Sequence, residues 1–350
     1  MAPSASPQET LPAAGACAQV SAIDSASLSN LPLEPYFHCD LPRLQRVTIP
    51  AFSFIITNAR GRRVLFDLGL RKDWTKLSPT AVAEVYHDEL GIRCEQDVRD
   101  ILEAHDVRAE GVEAIILSHH HFDHIGDPSR FPSSTALVVG PGVCDALMPG
   151  YPDQENAEIL TSDYLNRPVR EIDFTQSDLS LLGLPALDYF GDGSLYLLST
   201  PGHAVGHMAA LVRTTADGTE SSFVLLGGDA CHHCGELRPS TRRPLPSSRS
   251  SCVASFLETH DMDGTQPFFQ IQRDPQYAAY CNDSDEAQRT IFQLQRFDAL
   301  DSVLIIFAHD LTLKTIIDEF PATLNDWRAK GWGDSGRWRF LQDFEPMENL

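Results

Sequence analysis

Apolar positions in this chain follow two alternating patterns, short continuous runs and helical stripes. Residues 47–57 (VTIPAFSFIIT) are apolar and β-branched, break at Asn58-Ala59-Arg60-Gly61 and resume over 63–69 (RVLFDLG), which predicts a β-hairpin. Further short runs predict strands at 112–117, 135–139, 194–199 and 302–307. Residues 208–213 and 222–226 read as paired strands across a turn at Asp217-Gly218, and 157–183 holds two short candidate strands. Helical spacing appears over 95–105, where Val98, Ile101 and Leu102 share a face, and over 285–300, where Ile291, Leu294 and Phe297 do. Residues 76–90 are mostly polar with some helical spacing, a candidate wall for a substrate pocket. Residues 231–284 are long and irregular, and connections of that length inside a domain are usually functional or disordered. The predicted organisation is a partly disordered leader over 1–45, one domain over 46–330 with an insertion around 231–284, and a C-terminal tail over 331–350.

Composition narrows the class. The 350 residues are 42% hydrophobic and 22% charged, enough to bury a substantial core. No apolar run has the length of a membrane span, so no membrane association is expected. The Ala-, Ser- and Pro-rich N-terminus lacks a basic segment followed by an apolar one, which points to a cytoplasmic protein. A net charge of −22 argues against nucleic acid, whose phosphates call for a basic track. The nearest to a basic cluster, Arg238, Arg242, Arg243 and Arg249, lies in a Pro/Ser-rich stretch that reads as an exposed loop. The eight cysteines have no framework spacing and read as free thiols; Cys231-His232-His233-Cys234 has no second CxxC to complete a structural zinc site. Whether the chain forms a homodimer is left open.

The chemistry is concentrated where strands end. The run 112–117 leads into Ser118-His119-His120-His121-Phe122-Asp123-His124, with four of the 13 histidines inside six residues. The same succession, an apolar strand and then a histidine or aspartate, recurs at His203 in Thr200-Pro201-Gly202-His203, at Asp229 after Gly227-Gly228, and at His309 in Ala308-His309-Asp310. Alone, each has a plainer reading: a loop histidine, or for Asp229 a helix cap. Together, imidazoles and carboxylates delivered by separate strands to one sheet edge suit a centre for zinc, iron or manganese. Asp67, an acid closing an apolar strand, suits a supporting carboxylate.

The set HHHFDH, TPGH, GGD and AHD, over about 47–310, resembles the metallo-β-lactamase-fold hydrolase superfamily. The resemblance implies an α+β fold, a four-layer αββα sandwich, holding two divalent metal ions, with zinc the expected ion. It places one ion on His119, His121 and His203 and a second on Asp123, His124 and His309, with Asp229 bridging. His120 falls on a variable position and His207 on a supporting one. The implied reaction is hydrolysis of a small-molecule lactone, ester or thioester by a metal-bridging hydroxide, with Asp123 as catalytic proton donor to the leaving group. Among the branches, the chain looks most like the quorum-quenching acyl-homoserine lactone hydrolases. It departs from them where they commonly carry a tyrosine three residues after the bridging aspartate. His232 stands there, and its imidazole N–H is a candidate for polarising the substrate carbonyl. The alternative is a thioesterase of the glyoxalase II or polyketide-release type. Nuclease, redox and binding-only versions of the fold fit less well, given the acidity, the absence of a flavin-domain sequence and the complete ligand set.

Overall fold

Continuous apolar runs need cover on both faces, and the computed structural model, which describes residues 10–216 and 221–346, supplies it. Seven strands form one sheet in the order β4-β1-β2-β3-β5-β6-β7: β1 (Ala18–Pro32), β2 (Arg46–Asn58), β3 (Arg63–Phe66), β4 (Gly91–Arg93), β5 (Ala114–Ile116), β6 (Ala136–Val139) and β7 (Val169–Glu171). A second sheet runs β13-β12-β11-β10-β9-β8, from β8 (Ser180–Leu181), β9 (Leu184–Asp188), β10 (Leu195–Ser199), β11 (Met208–Thr215), β12 (Ser222–Leu226) and β13 (Val303–Ile306).

Alternation along each strand divides the side chains between three cores. Val64 and Phe66 of β3, Ile116 of β5 and Val138 of β6 point inward and meet Leu197, Ala210, Val224 and Ile306 of the other sheet. Their neighbours Leu65, Ile115 and Leu137 point outward onto Val98 and Leu102 of the helix α2 (Val98–Ala104), α1 being Pro79–His87. On the far side Leu198, Leu211, Leu225 and Ile305 pack on Ile291, Leu294 and Phe297 of the helix Ser284–Asp298. Helix, sheet, sheet and helix make the expected αββα sandwich. No helix of the described residues is long and apolar enough to cross a membrane.

Three expectations are corrected. The region read as a disordered leader contains β1, which pairs with β2 from Ala18↔Asn58 to Pro32↔Arg46 and buries Val20 and Ala22 between the sheets. Its Ser-rich run hid an ordinary buried strand; residues 1–9 of that leader lie outside the described residues, as does the Asp217-Gly218 turn. The C-terminal region is no detached tail, because Trp332, Phe340 and Phe344 are buried among core side chains. Arg238 is not in an exposed loop. It is 4% exposed and donates to Asp298 from Nε at 3.0 Å and Nη2 at 2.7 Å, while Arg337 donates to the same oxygen at 2.7 Å.

Candidate metal centre

β5, β10, β12 and β13 all end at one edge of the sandwich. β12 and β13 run parallel, and β10 shares their direction through the antiparallel β11 between them. The residues beyond those ends are His119, His203, Asp229 and His309, so four separate strands deliver donors to one place. After His121 the chain enters a single helical turn, α3 (Phe122–Ile125), which turns Asp123 and His124 back toward His119. Two glycines permit the crowding. Gly228 has φ +52° and a Cβ there would sit 2.8 Å from Ser118 Cβ; Gly202 has φ +127° and a Cβ would meet the Ala287 backbone nitrogen at 2.1 Å.

The donors divide into two groups that share Asp229. His119 Nε2 lies 2.9 Å from His121 Nδ1, and His203 Nε2 lies 3.1 Å from the same atom. Asp229 Oδ2 is 3.9 Å from His119 Nε2 and 3.7 Å from His203 Nε2. In the second group His124 Nε2 is 3.1 Å from Asp229 Oδ1, and His309 Nε2 is 3.2 Å from Asp229 Oδ2 and 3.4 Å from Asp123 Oδ2. Imidazole nitrogens this close fit a cation better than one another. His124 Nε2 and Asp229 Oδ1 are buried and face each other at 3.1 Å without the alignment of a hydrogen bond, which would be costly for a centre meant to stay empty. The donor set therefore fits divalent ions.

The supporting contacts fix each ring. Asp67 accepts from the Ser118 backbone N–H at 2.6 Å and its hydroxyl at 2.7 Å, and holds His124 Nδ1 at 3.0 Å. It does so from φ +59°, a conformation uncommon outside glycine. His309 Nδ1 is held by Pro50 O at 2.8 Å. His207 receives the Asp229 backbone N–H on Nε2 at 3.1 Å and bonds Thr200 O through Nδ1 at 2.9 Å, which places it behind Asp229. Protonation follows the two groups. Burial and the neighbouring imidazoles hold His119, His121 and His203 well below the usual histidine range, leaving lone pairs free. His124 and His309 are raised: burial alone would lower them, but Asp229 and Asp123 outweigh it. Asp229 is depressed, burial notwithstanding, by His124 and His309.

Comparison with known proteins agrees with this geometry. The family model described as the metallo-beta-lactamase superfamily matches residues 47–259. The chain belongs to this superfamily. It is 38% identical to Gamma-lactamase FDB1 of Fusarium pseudograminearum, over 98% of this chain and 86% of that protein. It is 41% identical to Cytochrome P450 monooxygenase mpaDE of Penicillium roqueforti over 98% of its own length, but spans only 39% of that relative. Among solved structures, an N-acyl homoserine lactone hydrolase with N-hexanoyl-L-homoserine at its catalytic metal center superposes with a TM-score of 0.56 at 17% identity, covering 88% of this chain and 99% of that one. That likeness is one of fold.

In this superfamily member His121, Asp123, His203, Asp229 and His309 line a cavity of about 1040 Å³, with His119 and His124 behind them. Leu28, Leu31, Ile49, Phe122 and Leu147 give it an apolar wall; Thr80, Glu84 and His87 of α1 form another, as the spacing over 76–90 suggested. His120 turns away from the donors to Glu158, 2.7 Å from Nε2 to Oε2. Cys231 and Cys234 are buried free thiols, Cys234 donating to Asp310 at 3.2 Å, and neither joins a metal-capable group among the described residues. His232 lines the cavity, but its Nε2 points down at Asp229 Oδ2, 3.6 Å away. Sequence reasoning missed three residues here. Tyr36 lies against the His232 ring, with centroids 4.1 Å apart and planes tilted by 33°. Glu236, fully buried, accepts the backbone N–H groups of His232 and His233 at 2.8 and 3.0 Å. Glu84 of α1 faces the cavity. None carries a local motif. The one available signal was the helical spacing around Glu84.

Proposed function

We propose that this chain is a two-metal hydrolase that opens a lactone or related cyclic acyl compound, or cleaves a carboxylic ester. One observation supports the reading above others: two groups of buried and half-buried donors meet at Asp229 beside a cavity large enough for a multi-ring substrate. His119, His121 and His203 would hold one divalent ion, Asp123, His124 and His309 the second, and Asp229 both, with zinc the ion that suits these nitrogen and oxygen donors. When bound, such ions acidify water and polarise an acyl oxygen. The protein's own groups do the rest. Asp67, Pro50 and Ser118 hold the imidazoles in place, so no reorganisation is needed when the acyl group arrives. Asp123, with its side chain 13% exposed, reaches into the cavity, where its carboxyl can hand a proton to the departing oxygen or nitrogen.

The cavity also ranks the substrates. Glu84, Asp88 and Glu158 line it, with no lysine or arginine among its described lining residues. A neutral ring or ester is compatible with that lining, whereas a thioester on a phosphorylated carrier meets like charge. Kinship with a γ-lactamase adds cyclic amides to the candidates. The test is a panel of γ-lactones, γ-lactams, aryl esters and acyl thioesters on metal-analysed protein. We expect two equivalents of metal and ring opening that a chelator abolishes and zinc restores. Fully loaded protein that turns over no acyl substrate would overturn the proposal.

A further inference from the structure

We infer that His232 is itself a metal ligand, sharing the first ion with His203 and Asp229; the inference rests on the two-metal reading above. Its substrate-facing role would require a ring N–H presented to the cavity. The structure shows the reverse for Nε2, which is shielded from solvent and has no hydrogen-bond partner among the described residues. That atom is aimed at Asp229 Oδ2 from 3.6 Å, too far for a hydrogen bond. His203, Asp229 and His232 nonetheless present ligand atoms within 4.8 Å of one another.

The separations are those of donors sharing an ion. With metal–ligand bonds of about 2.0–2.2 Å, two donors on one tetrahedral zinc lie about 3.4 Å apart, and expansion to five ligands brings some pairs closer. His121 to His203 at 3.1 Å, His203 to Asp229 at 3.7 Å and His232 to Asp229 at 3.6 Å all fall near that value. The ring is also held as a ligand should be. Tyr36 covers one side of it, the His203 ring lies 4.8 Å from its centroid, and Glu236 fixes the backbone of His232 and His233. A buried imidazole nitrogen left unpaired is costly. Coordination to a cation removes that cost.

The experiment uses the full chain loaded with cobalt(II), whose visible absorption reports coordination, in wild type, His232→Gln and His232→Ala. Glutamine keeps an N–H donor near the position of Nε2 but is a poor ligand, so it separates the two roles. We expect His232→Gln to shift and intensify the cobalt bands and to weaken the first ion at least about 10-fold in chelator competition, with the second ion retained. Added imidazole should restore wild-type bands in His232→Ala. Unchanged bands and unchanged affinity in His232→Gln, with both ions present, would overturn the inference and leave the hydrolase reading standing. If glutamine does not fold, bands in His232→Ala that match wild type without imidazole overturn it equally. Wild-type protein that binds no cobalt would instead sink the two-metal reading, and this inference with it.

Discussion

Asp67 shows how much a residue outside the donor set can carry. Its two oxygens take the Ser118 N–H and hydroxyl and hold the far nitrogen of His124, so it fixes both the loop and one ring. Asp67→Asn tolerates the left-handed backbone, since asparagine favours φ > 0 as aspartate does. It nevertheless replaces an acceptor by a donor beside His124. Chelator competition should show the second ion weakened roughly 10–100-fold in that variant, with the first ion little affected. His120→Gln is the contrast. Because His120 reaches Glu158 and not the donors, its loss should leave two metal equivalents by elemental analysis. A drop to one would mean that His120 supports the centre. Both residues sit in or near strand-end motifs, and their separate roles follow from geometry that no spacing rule reveals. The seven candidate donors could be proposed from the sequence because four apolar strands lead into the segments that carry them. Tyr36 and Glu236 were not, because they reach the site from segments whose placement depends on the whole fold.

Elements were legible where both faces of a strand are buried and illegible where small polar residues fill one. β1 illustrates this: Ser21, Ser25 and Ser27 break its apolar alternation, yet Ser21 and Ser25 are buried and the strand pairs along most of its length. The turn at residues 160–164 poses a different problem, a carboxylate that composition alone would place on the surface. Asp163 is 2% exposed, accepts the Leu160 N–H at 2.9 Å, and leaves its other oxygen unpartnered. Burial pushes its carboxyl up to about 7, against an unfolded value near 3.9. A raised folded pKa means that the native state binds the extra proton. Stability from this group is therefore full below about pH 4 and falls as pH rises through 7. Three pH units correspond to about 4 kcal/mol as an upper bound. Asp163→Asn keeps an oxygen for Leu160 and removes the titration. Its thermal midpoint relative to wild type should rise between pH 5 and pH 8; a constant difference across that range would show that Asp163 does not carry the proton.

At the scale of the molecule, the irregular segment over 231–284 is part of the machinery because a buried charge cluster ties it down. Asp298, at the end of the helix Ser284–Asp298, takes Arg238 from that segment and Arg337 from the C-terminal region on one carboxylate oxygen. Arg238 directly follows the short helix Cys234–Leu237, whose Glu236 fixes the backbone of His232. The cluster thus links three distant stretches of chain to the floor of the cavity. Burial opposes the Asp298 charge, but Arg238 and Arg337 outweigh it and hold the carboxyl below its ordinary value. A depressed folded pKa contributes stability above the unfolded value, near 4, and loses it as pH falls through the lower folded value. Acid unfolding of wild type should therefore steepen below about pH 4, a component that Asp298→Asn lacks. At neutral pH that variant strands two buried arginines against a neutral amide and should lose about 3–5 kcal/mol in urea unfolding. If the cluster also positions His232, the same protein, still folded at low temperature, should bind the first ion more weakly than wild type while Asp67 and its ring partner are untouched. Equal metal affinity together with the full loss of stability would confine Asp298 to holding the fold, and would leave Glu236 alone to set the His232 turn.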